Sequence, residues 1–250
     1  MMIKNKKPLG IKNYGSIPHL PNSRMGPADH SCHEGQARIA TKKKRDKHDI
    51  IIIQEKLDGS NVGVAKINGE IVPLVRAGYH ANTSPFKQHH IFAQWVAMPT
   101  NQRRFKKMLK NGQRVVGEWL LQAHGTRYEL RHEPFVIFDL MVNQKRVCFN
   151  ELVNRVLPLG FRVPFTIPKT EPMLVEDVMN YIGEYGQHGA IDPIEGAVWR
   201  VERNGEVDFL VKYVRPDKVD GMYLENVTGE PPVWNKFPIW FTGTEHLNDE

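Results

Sequence analysis

The sequence predicts an α+β fold with antiparallel sheets flanked by helices. Two Asn-Gly pairs, at residues 68–69 and 204–205, each lie between β-prone runs, which is the strongest short-range signal for a β-hairpin. Three other stretches carry apolar residues at helical spacing, at residues 86–98, 103–110 and 174–185. Because hairpins rather than crossover helices join the strands, we expect the sheets to be antiparallel.

The order of these elements predicts one core with an extension at each end. Residues 1–49 are rich in proline, glycine and histidine and are expected to form a loop-rich extension packed on the core. Strands are predicted in the isoleucine run at 50–53, in hairpins at 62–75 and 197–214, and at 114–118 and 135–141. The core would span residues 50–216, and residues 217–250 would wrap around it without a separate barrel domain.

The composition narrows the class of protein. With 40% hydrophobic and 25% charged residues, the chain has the composition of a globular protein. No apolar run approaches the roughly 20 residues of a membrane span, so neither a membrane span nor a secretory signal is expected. Two cysteines cannot form a disulfide framework, which favours a reducing, cytoplasmic setting. The net charge of +6 favours a polyanionic partner such as nucleic acid.

Lys56 is the first candidate for catalysis because it follows a predicted strand and begins the sequence Lys56-Leu57-Asp58-Gly59. A lysine that attacks phosphorus must first lose its proton, and enzymes achieve this by desolvation or by nearby positive charge. Gly59 would let the backbone turn tightly beside a bulky nucleotide. The same residues are also compatible with an exposed turn, in which Asp-Gly is common.

The first hairpin is expected to bring a cation close to this lysine. If its turn has two residues, Ile67 pairs with Glu70, and counting outward sets Asn61 opposite Arg76. Arg76 would then lie beside the lysine loop, where it could bind a phosphate. The alternative interpretation of Arg76 is a solvated charge on a strand.

The second hairpin predicts another pair of charged residues on one face. The same counting pairs Ala197 with Lys212 and sets Glu195 one diagonal step from Lys212 on the same side of the sheet. Both side chains would then point into one site. Alternatively, Glu195 caps the segment that follows Asp192-Pro193.

Five segments, in this order, resemble the collinear motifs of the covalent nucleotidyltransferases, a superfamily of ATP-dependent DNA ligases, RNA ligases and mRNA-capping guanylyltransferases. The segments are Lys56-Leu57-Asp58-Gly59, Gly117-Glu118-Trp119, Phe135-Val136-Ile137-Phe138-Asp139, Glu195-Gly196-Ala197-Val198 and Leu210-Val211-Lys212-Tyr213. Residues 14–21, 76–78, 118–119 and 138–139 further resemble the RNA-ligase branch, which includes the RNA-editing ligases. The resemblance covers residues 14–216.

The resemblance implies both a fold and an activity. The fold is the ATP-grasp-like nucleotidyltransferase fold of ligase adenylation domains, in which sheets and helices form a nucleotide cleft. The activity is that of an ATP-dependent RNA ligase, which forms lysyl-AMP, adenylylates a 5′-phosphate end and seals that end to a 3′-hydroxyl. ATP and Mg²⁺ (or Mn²⁺) are the implied cofactors, and the oxygen ligands of glutamate suit Mg²⁺.

Four residues are implied to be catalytic. Lys56 would be the nucleophile, and Lys212 would neutralise the α-phosphate. Glu118 and Glu195 would place the metal ion, with Glu118 contacting either the ribose or a metal-bound water. The family often has a second basic residue two places after Lys212, where this chain has valine, and Arg215 follows. Which of Lys212 and Arg215 fills which role therefore stays open.

Four further residues are implied to bind the nucleotide. Glu55 would lie next to the adenine and Phe138 would stack on it, while Asn61 and Arg76 would lie near the phosphates. By sequence alone, a phenylalanine in an apolar strand is also compatible with a place in the core. His124, which follows the Glu118 segment, is expected at the edge of the site.

RNA is the implied partner, as a nicked duplex or as RNA paired with DNA, and a helper RNA-binding or end-healing protein is a second candidate partner. The basic residues Arg103, Lys106, Lys107 and Lys110 would either hold RNA phosphates or form a solvated helix face. Two other functions remain as alternatives. One is an ATP-dependent DNA ligase or a capping-type guanylyltransferase, and the other is a nucleic-acid-binding module that has kept the fold without the chemistry.

Overall fold

The computed structural model describes residues 6–238, which form two antiparallel sheets covered by helices. The strands are β1 (Asp49–Lys56), β2 (Ser60–Ile67), β3 (Glu70–Val75), β4 (Gln113–Trp119), β5 (Phe135–Val142), β6 (Lys145–Arg146), β7 (Gly196–Arg203) and β8 (Glu206–Val214). One sheet has the strand order β1-β7-β8, and the other has the order β3-β2-β4-β5-β6. The predicted α+β class with antiparallel pairing is therefore confirmed.

Six α-helices lie among the described residues. They are α1 (Glu34–Thr41), α2 (Lys87–Ala97), α3 (Pro99–Met108), α4 (Phe149–Val156), α5 (Val175–Ile182) and α6 (Glu225–Thr228), and short 3₁₀ turns lie at Ala81–Thr83 and Leu157–Leu159. Helices α2, α3 and α5 overlap the stretches predicted from apolar spacing. The described part of the N-terminal segment is mainly loop-like, as expected, except for α1, a helix that was not predicted and that buries Ile39 and Ala40. None of the helices in residues 6–238 is both long and apolar enough to cross a lipid bilayer.

Both Asn-Gly turns have the geometry that the sequence predicts. Asn68 and Asn204 have φ values of 50° and 51°, and Gly69 and Gly205, which follow them, have φ values of 87° and 80°. Two successive residues with positive φ are typical of a type I′ turn, whose twist matches that of the flanking strands. In the first hairpin, the predicted pairing of the residues next to the turn is also confirmed.

The predicted register of the second hairpin is wrong by one residue at its far end. Next to the turn the pairing follows the count, but a bulge between Val201 and Glu202 shifts the pairs beyond it. Lys212 consequently pairs with Val198 and not with Ala197. A bulge adds one residue to one strand, so counting outward from the turn cannot detect it.

Each sheet packs against its own hydrophobic core. Helices α2, α3 and α4 pack on the five-stranded sheet around buried aromatic rings, which belong to Phe92, Trp95, Phe105, Trp119, Phe135 and Phe161. Helices α1 and α5 cover the three-stranded sheet, whose core includes Ile51, Ile53 and Trp199. Because β1 belongs to one sheet and β2 to the other, the loop at residues 57–59 connects the two layers. Lys56 therefore lies at the junction between the sheets.

Segments that precede the first strand and follow the last strand also pack against the sheets. His19 forms a bridge with Lys212 in β8, and Trp234 forms one with Gln122. The division into an extension at 1–49, a core at 50–216 and a tail at 217–250 stays a prediction. Residues 1–5 and 239–250, to which it also refers, lie outside the described residues.

A buried ion network ties the two sheets together. Asp139 of β5 accepts hydrogen bonds from Arg200 Nη1 in β7 at 2.6 Å and from Arg146 Nε at 3.0 Å. Tyr14 also donates its hydroxyl to Asp139, at 2.5 Å. Arg200 in turn donates through Nε to Glu202 at 2.7 Å. Asp139 and Arg200 are almost completely buried, so each depends on the other for charge balance.

We expect Arg200→Met to lower the free energy of unfolding by roughly 3–5 kcal/mol, because the buried carboxylates of Asp139 and Glu202 lose the cation that they share. Urea denaturation followed by tryptophan fluorescence measures this change. Arg103→Met, on the exposed side of α3, is the matched control and should change the free energy of unfolding by less than about 0.5 kcal/mol. Equal stabilities of the Arg200 variant and the wild-type protein would contradict this account.

Candidate active site

A cavity of about 910 Å³ opens between the two sheets beside Lys56. This volume lies within the range of small-molecule sites, roughly 300–1,000 Å³. Every site residue suggested by the sequence lines the cavity, namely Glu55, Lys56, Asn61, Arg76, Glu118, Phe138, Glu195 and Lys212. The fold thus brings together residues from both sheets and both hairpins, and their individual roles stay predictions.

The amine of Lys56 is held by the carboxylate of Glu195. Lys56 is the last residue of β1 and pairs with Gly196, so the residue before Gly196 lies beside the lysine. Lys56 Nζ donates a hydrogen bond to Glu195 Oε2. Burial by itself would lower the pKa of Lys56, but the carboxylates of Glu195 and Glu118 outweigh it and raise that pKa. The resting amine is therefore protonated.

Two glycines make the close approach of these strands possible. A Cβ atom on Gly196 would lie 1.9 Å from the carbonyl oxygen of Tyr213, and one on Gly59 would lie 2.6 Å from that of Trp119. Both distances are well below van der Waals contact and involve backbone atoms that cannot turn away. Glycine at these positions thus lets the chain on either side of the Lys56–Glu195 pair pack against its neighbours.

Glu118 is the second carboxylate beside the lysine. It lies opposite Asn61 in the pairing of β4 with β2, and its Oε1 accepts a hydrogen bond from Gly59 N at 3.2 Å. Burial raises the pKa of Glu118 to about 8, against the opposing effect of Lys56, and the nearby carboxylates of Glu195 and Asp58 raise it further. Three acidic side chains, those of Glu118, Glu195 and Asp58, are therefore crowded on this side of the cavity.

Glu55 and Phe138 form another part of the cavity wall. Glu55 is buried, and its Oε2 accepts a hydrogen bond from Gln187 N at 2.9 Å, whereas its Oε1 has no partner among the described residues. Phe138 is the extra residue of a bulge in β5, which lets its ring face the cavity. The ring packs edge-on against Tyr14 at a centroid distance of 5.3 Å.

Asn61 and Arg76 lie on the cavity wall formed by the first hairpin. The side-chain Oδ1 of Asn61 is buried and has no hydrogen-bond partner among the described residues. Arg76 is exposed just beyond the end of β3, and its carbonyl oxygen accepts hydrogen bonds from Asn13 and Tyr14. The polar groups of both residues are thus available to a ligand.

The structure separates Lys212 from Arg215. Lys212 lines the cavity, and burial together with the charge of Lys56 lowers its pKa. Arg215 donates through Nη2 to the carbonyl of Pro193 at 3.3 Å and through Nη1 to Asp217 at 2.9 Å, and it does not line the cavity. Glu195 lies before the start of β7, so it reaches the same cavity as Lys212 although the predicted register was wrong.

The residues that hold the loop at 57–59, which follows Lys56, were not predicted from the sequence. Lys218 is buried and donates to Asp58 Oδ2 and to Thr126 Oγ1, both at 2.6 Å. Gly125 N donates to the same Asp58 oxygen at 2.8 Å, and Asp58 N donates to the hydroxyl of Tyr128 at 3.1 Å. The only signal in the sequence was the presence of a lysine after the last strand, which does not indicate its partner.

Two histidines flank the loop on another side. His124, expected at the edge of the site, lies 3.4 Å from the Ser60 hydroxyl, and His89 lies 3.1 Å from the same oxygen. Burial lowers the pKa of His89 to about 4 and lowers that of His124 as well. Both rings are therefore neutral at physiological pH and act as hydrogen-bonding groups rather than as charges.

Residues 49–214 match the family model described as RNA ligase. No curated protein gave a match. Among solved structures, an apo mutant of the Naegleria gruberi RNA ligase is 14% identical with a TM-score of 0.51, over 88% of this chain and 60% of that one. This likeness concerns the fold.

Two further solved structures are similar at lower TM-scores. An archaeal ATP-dependent RNA ligase (form 2) is 20% identical with a TM-score of 0.45, over 67% of this chain and 43% of that one. A Naegleria gruberi RNA ligase mutant with ATP and manganese is 16% identical with a TM-score of 0.48, over 68% and 51%. This chain matches less than two thirds of the length of each of these ligases.

We expect Lys218→Met to lower the free energy of unfolding by roughly 3 kcal/mol, because Asp58 loses the buried cation that balances it. Urea denaturation measures this loss, and hydrogen exchange should show faster opening of residues 57–59. Lys236→Met is the matched control, since Lys236 forms an exposed ion pair with Glu129, which is worth less than about 1 kcal/mol. Equal losses in the two variants would argue against a buried anchor.

Glu55 predicts a specific pH dependence of stability. Burial raises its pKa from 4.5 to about 7 in the folded protein. The protonated carboxyl is thus favoured by folding, and its stabilising contribution is present below the unfolded pKa and is lost as the pH rises through the folded pKa. Between pH 5 and pH 8, the stability of the wild-type protein should fall relative to Glu55→Gln by on the order of 2 kcal/mol. Parallel urea-denaturation results for the two proteins over this range would refute the assignment.

Proposed function

Because the chain belongs to the RNA ligase family, we propose that it is an ATP-dependent RNA ligase that joins 5′-phosphate and 3′-hydroxyl ends. The observation that carries this proposal is the position of Lys56, whose amine lies in a cavity together with two carboxylates and a second lysine. We propose that the cavity is the nucleotide cleft of an ATP-grasp-like nucleotidyltransferase fold.

In the first step, the lone pair of Lys56 Nζ attacks the α-phosphorus of ATP. The bond between the α-phosphorus and the bridging oxygen breaks, and pyrophosphate leaves with the electron pair, so that a phosphoramide bond joins the lysine to AMP. The amine must first lose a proton, and Glu195 is the base in contact with it. Steps of this type depend mainly on positioning and on charge stabilisation.

Glu118 and Glu195 suit a divalent cation, either Mg²⁺ or Mn²⁺. Burial, together with the neighbouring carboxylates, raises the pKa of Glu118, and a bound cation would oppose this by favouring the charged carboxylate. Within residues 6–238, no group of three or more acidic, histidine or cysteine side chains is arranged to bind a metal by itself. Mg²⁺ commonly takes one or two carboxylates and completes its shell with phosphate oxygens and water. When bound, the cation supplies positive charge that favours the neutral form of Lys56.

The remaining walls support roles for the nucleotide-binding residues. The unpartnered Oε1 of Glu55 can accept a hydrogen bond from the adenine amino group, and the ring of Phe138 can stack on the purine. Asn61 and Arg76 are placed to bind the phosphates. Lys212, rather than Arg215, neutralises the α-phosphate in this proposal because only Lys212 lines the cavity.

The later steps transfer AMP and seal the strand. A 5′-phosphate oxygen of RNA attacks the phosphorus of lysyl-AMP, the P–N bond breaks, and the amine recovers its proton. The 3′-hydroxyl oxygen then attacks the 5′-phosphorus, AMP leaves, and the hydroxyl proton passes to solvent.

The exposed basic residues of α3 and the net charge of +6 support an RNA partner, as a nicked duplex or as RNA paired with DNA. Two free cysteines support a reducing, cytoplasmic setting, in which a helper protein could assist.

Labelling with α-³²P ATP and Mg²⁺ tests the first step. The wild-type protein should retain the label after denaturation, whereas Lys56→Ala should lose it by a factor of more than roughly 10³, because the variant lacks the amine that forms the phosphoramide bond in this proposal. Lys42→Ala, an exposed lysine outside the cavity, should label like the wild-type protein. Wild-type protein without covalent label would refute the proposal.

Sealing assays on nicked duplexes identify the substrate class. RNA strands should be sealed in preference to DNA strands, and ATP should label the protein in preference to GTP. Preferential sealing of DNA would indicate a DNA ligase, and preferential labelling by GTP would indicate a capping-type guanylyltransferase. Retention of RNA without any label would indicate a binding module.

A further inference from the structure

An N-terminal strap, defined as residues 13–32, forms part of the cavity although it precedes the segment that matches the RNA ligase family, residues 49–214. It lies along the free edge of β8, where Lys212 N donates to the carbonyl of Pro18 at 2.9 Å and Leu20 N donates to the carbonyl of Lys212 at 2.8 Å. The strap contributes Tyr14 and Asp29, among others, to the cavity wall. The strap is therefore hydrogen-bonded to the backbone of Lys212, the second lysine that lines the cavity.

Asp29 is the strap's only acidic side chain and faces that lysine. Lys212 Nζ lies 3.5 Å from Asp29 Oδ1, and the buried His19 ring lies 3.2 Å from Asp29 Oδ2 through Nε2. The other nitrogen of His19 contacts the Ser23 hydroxyl at 2.6 Å, which fixes the orientation of the ring. The carboxylate is thus held between a neutral histidine and a cation at the edge of the cavity.

The surroundings of Lys212 have opposing effects on its pKa. Burial and the ammonium of Lys56 disfavour a second positive charge, whereas the carboxylates of Asp29 and Glu195 favour it. His19 is buried and its pKa is lowered, so it contributes no charge at neutral pH. Glu195 already accepts a hydrogen bond from Lys56. Among residues 6–238, Asp29 is therefore the carboxylate that forms an ion pair with Lys212.

We propose that Asp29 is a positioning residue, which acts through Lys212 by holding its ammonium group over the cavity in the charged form. This inference rests on the proposed function, in which Lys212 must carry a positive charge to stabilise the α-phosphate during transfer. Asp29 does not itself touch the reacting atoms. The strap thus adds to the cavity a carboxylate from outside the family-matched segment.

The test is the rate of lysyl-AMP formation by Asp29→Asn from pH 6 to pH 10, measured with α-³²P ATP and Mg²⁺. Asparagine has nearly the same shape and keeps an oxygen for the hydrogen bond that Gly26 N donates at 2.9 Å, so the strap keeps its turn. Without the negative charge, Lys212 should lose its proton at lower pH. The alkaline limb of the rate profile should then move to lower pH by about one unit, so that the rate stays within about twofold of wild type at pH 6.5 and the deficit grows toward roughly tenfold as the pH rises through that limb.

Two further variants separate a charge effect from a structural one. Asp220→Asn is the matched control, because Asp220 contacts the strap through Arg24, is exposed and does not line the cavity, so its rate profile should match the wild-type profile. Asp29→Glu keeps the charge and should restore most of the alkaline limb.

Two results would overturn the inference. One is an Asp29→Asn profile that coincides with the wild-type profile, and the other is a loss by the same factor at every pH, which a merely structural role would produce. Either result, with normal labelling of the wild-type protein, leaves the proposed function intact. Failure of the wild-type protein to take label would remove both proposals together.

Discussion

The ion pair between Lys56 and Glu195 is the interaction on which the rest of the site depends. It forms because β1 and β7 are paired in a register that sets Lys56 opposite Gly196. Lys56 is also the last residue before the loop that connects the two sheets. The two groups share a partly buried hydrogen bond, so neither changes protonation without affecting the other. Chemistry at the amine therefore requires positive charge to enter the cavity, since the surrounding acids hold its proton in place.

Charged groups from outside the family-matched segment complete this arrangement. Lys218 balances Asp58 beneath the lysine loop, and Asp29 faces Lys212 across the edge of β8. Both contacts join residues that are far apart in sequence, and each supplies the opposite charge to a group next to the central pair. Residues 49–214 thus carry the lysine and its acids, while the flanking segments set the electrostatic environment in which they act.

Local patterns in the sequence were sufficient for the fold class. The site residues that the sequence motifs identified also line the cavity. The Asn-Gly turns fixed both hairpins, and the register of the first follows from its turn alone. The register of the second fails beyond Val201 because a bulge depends on packing between strands, which counting ignores. Asp29 and Lys218 could not be assigned either, because an ion pair between distant segments leaves no periodic or motif signal in a single sequence.

During biosynthesis, Lys218 is the last part of this arrangement to arrive. The ribosome releases every strand of both sheets, and Lys56 itself, before residue 218 leaves the exit tunnel. Until then the carboxylate of Asp58 lacks its ion pair with Lys218, and the absence of that partner opposes burial of the loop that carries it. The cleft of the nascent chain thus reaches its final form only after translation has passed the last strand.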